Sequence, residues 1–118
     1  MAELIVLSAT QVGAGDQAYV SFHLPVAATL VGVTVAGVNV VGAPTTGFVS
    51  VNEPVLDEVC TVHIKWANAW TGDWRSRHLG GTETPVPLSA GTALDITLYL
   101  SGGVNPTLDL TTTLWLAV

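Results

Sequence analysis

The feature that most constrains this chain is the alternation in its last third. From Ala93 to Ser101 the apolar residues fall on Leu94, Ile96, Leu98 and Leu100, with Asp95, Thr97 and Tyr99 between them. From Leu108 to Val118 they fall on Leu108, Leu110, Leu114, Leu116 and Val118, with Asp109, Thr111, Thr113 and Trp115 between. A period of two belongs to strands with one face in a core and the other facing out. Ser101-Gly102-Gly103-Val104-Asn105-Pro106 separates the two runs with turn formers. A strand that closes the sequence must be held by neighbours, so the rest of the chain has to supply pairing partners.

It supplies several. Leu4 to Thr10 is a short apolar run, followed by a turn over Val12-Gly13-Ala14-Gly15-Asp16-Gln17. Val20, Phe22 and Leu24 alternate with Tyr19, Ser21 and His23, and Pro25, which cannot donate to a ladder, ends the run. Leu30 to Ala36 is rich in β-branched residues, and Val38 to Val41 continues it past a bulge expected at Gly37. Gly42-Ala43-Pro44-Thr45-Thr46-Gly47 signals a turn before a strand at Phe48 to Val51. An acidic loop is expected from Asn52 to Glu58. From Val59 to Trp66, Cys60, Val62, Ile64 and Trp66 share one face, opposite Thr61, His63 and Lys65. Ala67 to Thr84 reads as the longest irregular segment, and Pro85 and Pro87 frame a short run before Leu88-Ser89-Ala90-Gly91-Thr92 turns into the closing strands. This makes about eight short, evenly spaced strands with no helical period of useful length, the pattern of an all-β sandwich or barrel. A single jelly-roll β-sandwich over residues 1–118 fits that number best; the Cys–Trp–Cys signature of an immunoglobulin-type sandwich is missing.

Composition narrows the function. Hydrophobic residues make up 49% of the 118 and charged residues 10%, against roughly 25% charged in ordinary soluble domains. So few charges leave apolar surface to be covered by partners. The net charge is −6, with only Lys65, Arg75 and Arg77 basic. That speaks against nucleic acid and against anionic membrane surfaces, both of which need a basic footprint. MAELIVLSAT has neither the basic region of a signal peptide nor the length of a membrane span, so synthesis in a cytoplasm is expected. The single Cys60 excludes an internal disulfide and, by its phase, reads as a small buried hydrophobe.

The most unusual stretch is Trp66 to His78, WANAWTGDWRSRH, which gathers three of the four Trp and both Arg. Trp and Arg anchor interfaces more than other side chains do. Trp66, Trp70, Trp74, Arg75 and Arg77 are therefore candidate partner contacts; the alternative is that Trp66 and one other Trp fill the end of the sandwich while Asp73 pairs with Arg75 or Arg77. The four-residue spacing of the Trp residues also suits one face of a short helix, although Asn68, Gly72 and Asp73 oppose it. Tyr99 and Trp115, both on the outward phase of the closing strands, complete the set as an aromatic pair on one outer face. His23, His63 and His78 have no metal-ligand spacing. Glu53, Asp57 and Glu58 lack the alternating ligands and glycine of a calcium loop and read as a solvated acidic loop. Asp73, Ser76 and His78 are near one another without the glycine frame of a nucleophile elbow. No catalytic residue, cofactor site or metal site is assigned, and an enzyme is not expected.

Four segments then carry a resemblance. Leu24-Pro25 through Ala28-Thr29-Leu30-Val31-Gly32-Val33, Gly42-Ala43-Pro44-Thr45-Thr46-Gly47, Pro87-Leu88-Ser89-Ala90-Gly91-Thr92-Ala93-Leu94 and Leu108-Asp109-Leu110-Thr111-Thr112-Thr113-Leu114-Trp115-Leu116 resemble, in the same order, small jelly-roll domains of tailed-phage virion proteins. The likeness runs from Phe22 to Val118 and lies in turns and strand edges. The chain differs where Asn52-Glu53-Pro54 replaces an asparagine-glycine hairpin and where Thr92 replaces an aspartate. The resemblance implies a structural virion protein. Without a repetitive or coiled stalk, the chain looks more like a capsid decoration (cement) protein than a fibre. On that reading its partners are the major capsid protein and further copies of itself in a homotrimer, and it sits on the capsid surface. The alternatives are a tail-tip or fibre-head module recognising a host glycan through the Trp66–His78 loop, and a carbohydrate-binding module unrelated to phage.

Overall fold

The computed structural model describes residues 2–9, 17–53 and 57–117. Of the turn expected over Val12 to Gln17, residues 12–16 lie outside them, as do the centre of the Asn52–Glu58 loop and Val118; Gln17 opens β2. Among the described residues there are nine strands and no α-helix: β1 (Ala2–Ala9), β2 (Gln17–His23), β3 (Ala28–Val41), β4 (Thr46–Glu53), β5 (Asp57–Lys65), β6 (Thr71–Arg75), β7 (Val86–Leu88), β8 (Ala93–Ser101) and β9 (Thr107–Ala117). Two antiparallel sheets form. One has the order β1-β9-β3-β6, with β7 continuing along the same edge of β3 as β6; the other has the order β2-β8-β4-β5. The chain is an all-β sandwich, one of the two architectures that its alternation suits.

Both inner faces follow the sequence pattern. Leu94, Ile96, Leu98 and Leu100 of β8 are buried, as are Leu108, Leu110, Leu114 and Leu116 of β9, and all belong to one hydrophobic cluster with Val33, Val49, Val62 and Ile64. Each fully buried Leu or Ile contributes roughly 1.5–3 kcal/mol over its exposed state. Cys60 lies in the same cluster, 5% exposed. The closing strand is held on both sides, by β1 and by β3.

Several expectations need correction. The Ala67–Thr84 segment is not irregular: it contains β6, which pairs Thr71–Arg75 with Gly32–Ala36. Gly72 and Asp73 are poor strand formers, and the pairing with β3 overrides their propensity. Gly72 is also where the two sheets draw together, since a Cβ there would lie 2.5 Å from the His63 carbonyl oxygen of β5. The bulge expected at Gly37 lies elsewhere. Gly37 pairs in register with Leu110, and the shifts fall between Leu30 and Gly32 and between Val38 and Val41. In the second of these Asn39 takes a positive φ of 53°, and its side-chain amide donates to Asp109 Oδ2 at 2.9 Å. Asn52 and Glu53 end β4 and Asp57 and Glu58 open β5, paired Asn52 to Glu58 and Glu53 to Asp57. They form a hairpin stem rather than a loop, and Glu53 is buried, not solvated.

The loops interlock at both ends. At one, the Gly42 carbonyl accepts from Val104 N at 2.9 Å and Thr45 N donates to the Ser101 carbonyl at 2.9 Å. The turn after β3 and the turn after β8 thus brace each other. Gly42 and Gly103 both have positive φ (84° and 73°), a region that glycine enters without penalty. At the other end, Leu24 N donates to Thr92 O at 3.0 Å and Gly91 N to Leu24 O at 2.8 Å.

Candidate interaction surfaces

The Trp66–His78 stretch does not form one docking loop. Strand β5 stops at Lys65, and a 3-10 turn takes Trp66 out of the inward phase of Cys60, Val62 and Ile64, leaving it 69% exposed. Ala69 and Trp70 follow with φ of 54° and 57°. Two consecutive non-glycine residues in this region cost of order 1–3 kcal/mol each. Trp70 N donates to Lys65 O at 3.1 Å, Gly37 N to Trp70 O at 2.9 Å, and Thr71 Oγ1 to Asn68 O at 2.6 Å. These bonds, and a side chain only 8% exposed inside the core cluster, hold the turn in place. Gly37 provides the seat: a Cβ there would meet Trp70 Cβ and Leu108 Cδ1, each at 3.2 Å. Trp70 is a core residue in this arrangement.

Trp74 pairs with Val33 and shares its inward phase, packing half-buried against the core, while its neighbours Asp73 and Arg75 face outward. Arg75 Nε donates to Asp73 Oδ2 at 2.6 Å in an exposed pair. Arg77 is exposed in a second 3-10 turn beyond β6, the length of that strand away from the Trp66 turn. Ser76 is fully buried, and its side chain accepts from His78 N at 3.2 Å, which makes it the cap of that turn.

Tyr99 and Trp115 also separate. Strand β8 lies in one sheet and β9 in the other, so the two outward aromatics sit on opposite outer faces, not side by side. Tyr99 pairs with Phe48 and stacks on it, the centroids 4.7 Å apart and the rings inclined by 25°. His63 continues the row at 6.1 Å from Phe48. Trp115 stands opposite Gly32.

Four of the six exposed large hydrophobic side chains among the described residues lie toward one end of the sandwich; Val26 is in the loop between β2 and β3, and Tyr99 is on an outer face. Val41 is 61% exposed, Val104 76%, Val38 57% and Trp66 69%. Thr46 pairs with both Lys65 and Ser101, and Gly42 is bonded to Val104, so the turns bearing Trp66, Val41 and Val104 occupy the same end. Three of these four residues were not singled out from the sequence. The signal that could have found Val104 is its setting: a β-branched hydrophobe amid the turn formers Gly102, Gly103, Asn105 and Pro106.

Two antiparallel sheets around one core define an all-β sandwich. Comparison with known protein families finds no matching family, and no curated protein shows significant similarity to the chain.

Proposed function

We propose that this chain is a structural virion protein of the capsid decoration type, docking on a shell through the end that carries Trp66, Val38, Val41 and Val104. The observation that carries this reading is those four exposed apolar side chains in a chain with 10% charged residues. Large apolar patches on soluble proteins mark interaction sites. The strand orders β1-β9-β3-β6 and β2-β8-β4-β5 support the jelly-roll reading, in which eight principal strands divide four and four between two sheets; β7 is an addition to that plan. Docking of this kind is mechanical. A protein that binds only the assembled shell stabilises it by mass action, by about 2.7 kcal/mol per site at a free concentration 100 times its Kd. Self-association as a homotrimer would use the same charge-poor surface.

Immunogold labelling of intact particles from the source tests the reading, with antibody raised to this chain. Label spread over the heads is the expected result. Label confined to the tail end would replace decoration by host recognition, and a chain absent from blots of denatured particles would remove the virion reading altogether. Trp66→Ser combined with Val104→Ser is expected to abolish head labelling while leaving the folded protein intact, since both side chains are mostly solvated.

A further inference from the structure

The outer face of the β1-β9-β3-β6 sheet carries a feature distinct from the apolar end. Gly32 stands between two large neighbours: Trp115 opposite it on β9 and Arg75 opposite it on β6. Its missing side chain leaves a hollow of about 180 Å³ bounded by Gly32, Thr34, Trp74, Arg75, Leu79 and Trp115. A Cβ on Gly32 would reach to 2.8 Å from Leu79 Cδ1 and 3.5 Å from Trp115 Cδ1, so the floor is glycine backbone and the walls are indole and leucine.

The wall is fixed in advance. Leu79 N donates to Ser76 O at 3.0 Å, and Gly81 N donates to the same oxygen at 2.9 Å. Ser76 itself is fully buried and tied to β3 by Ser76 N to Val31 O at 2.9 Å. Arg75 spends one of its five N–H donors on Asp73, a bond that sets the direction of the guanidinium fork. Past Arg75 the hollow gives way to a shallow, open polar surface bordered by Thr34, Asn68, Thr71, Asp73 and Arg75. Thr34 and Arg75 border both halves.

The occupant that suits such a groove has one apolar face and a rim of groups that both donate and accept hydrogen bonds. The paired Asp73 and Arg75 give no net charge, so neither an anion nor a cation is favoured, while carboxylate, guanidinium and two threonine hydroxyls offer both donors and acceptors. An apolar wall with a few convergent polar groups is the general form of a small-ligand site. We propose that this groove binds a neutral saccharide. One pyranose places its C–H face against Trp115 and Leu79, and its hydroxyls meet Arg75, Asp73 and Thr34. The inference does not rest on capsid docking: the hollow at Gly32 and Trp115 holds none of the four apolar residues of that end, and of the groove's border only Asn68 lies in the Trp66 turn.

The test is an NMR titration of the ¹⁵N-labelled full chain with glucose, galactose, mannose and N-acetylglucosamine and their short oligomers. The Trp115 indole N–H and Arg75 Nε–H report on the groove, and the buried Trp70 indole reports on the fold. The expected result is a saturable shift of Trp115 and Arg75 by at least one of these sugars, with Trp70 unmoved. Gly32→Val fills the hollow with a good strand former and is expected to weaken that sugar by at least about tenfold, a change that an affinity titration resolves readily. Arg75→Ala, at an exposed position, provides the same readout if the valine variant does not fold. Three results would overturn the proposal: no shift of Trp115 by any of the sugars, a shift that persists undiminished in Gly32→Val and Arg75→Ala, or a Trp115 signal that responds to protein concentration and not to sugar. The last would assign the hollow to a second copy of the chain.

Discussion

The two outer faces of the sandwich are built from the same alternation and end up differently. On the β2-β8-β4-β5 sheet, Tyr99 faces Phe48 across the strands, and His63 lies beyond, so the aromatic side chains cover one another. On the β1-β9-β3-β6 sheet, Trp115 faces Gly32, and the same outward position borders a hollow. The difference lies on one side of each aromatic, where Tyr99 meets Phe48 of β4 and Trp115 meets Gly32 of β3. An outward aromatic opposite an aromatic makes a self-satisfied surface; opposite a glycine it makes a cleft. Cross-strand pairs are the unit in which a sheet face is assembled, and here the choice of partner separates a covered face from an open one.

The contrast applies only to the outer faces, and the largest predicted effect checks this. Leu98 and Leu114 are both fully buried, one in each sheet, within the same cluster. Leu98→Ala and Leu114→Ala should each cost about 2–5 kcal/mol, read as a lower urea midpoint with unchanged slope. A cost below about 1 kcal/mol for either would mean that the sheets do not share one core, and the comparison of their outer faces would lose its basis.

The next effect separates the faces directly. The stacked Phe48–Tyr99 pair should show a coupling of about 0.5–1.5 kcal/mol in a double-mutant cycle with alanine. The equivalent cycle cannot be drawn across the β9–β3 pair, because Gly32, opposite Trp115 there, has no side chain to remove. Adding one is the informative change there. Gly32→Ala relieves the conformational cost of glycine within a strand, about 0.5–1 kcal/mol, and Leu79 has to yield only at the tip of its side chain. A stabilisation of less than about 1 kcal/mol is expected from thermal unfolding. A clear destabilisation would mean that Leu79 is too firmly seated to move and that the hollow is smaller than its walls suggest.

Alternation within strands was legible from the sequence, and it located most of the core. Every apolar position expected to face inward from Leu94 to Leu116 is buried. The sheet to which each strand belongs was not legible, since period two fixes a strand's faces but says nothing about its neighbours. That is why Tyr99 and Trp115 read as a pair although β8 and β9 lie in different sheets. Trp66 was misplaced for a related reason. Its phase continued that of Ile64, but the strand ended one residue earlier, and a turn reversed its exposure. Strand β6 was hidden because Gly72 and Asp73 have little intrinsic preference for a strand and are held in one by pairing with β3. Of the residues read as partner contacts, the structure leaves Trp66, Arg75, Arg77 and Tyr99 accessible, half-covers Trp74 and Trp115, and buries Trp70. Their division among two faces and an end depends on topology that local pattern does not encode.

The smallest predicted effect distinguishes the forces holding each face. Asp73 and Arg75 are two apart on β6, so their side chains emerge on the same side and pair there at 2.6 Å. Their side chains are 50% and 57% exposed, so water screens the attraction and the pair is worth only about 0.2–1 kcal/mol, nearer the lower figure. Asp73→Asn should therefore leave the melting temperature almost unchanged in dilute buffer. Any loss it does cause should disappear near 1 M salt, where the screening length falls to about 3 Å. The Phe48–Tyr99 coupling rests on apolar contact and should survive the same salt. If instead Asp73→Asn destabilised the protein by well over about 1 kcal/mol, or its effect persisted at high salt, the carboxylate would be organising the β6 edge through more than its bond to Arg75. The open face would then be as firmly built as the stacked one.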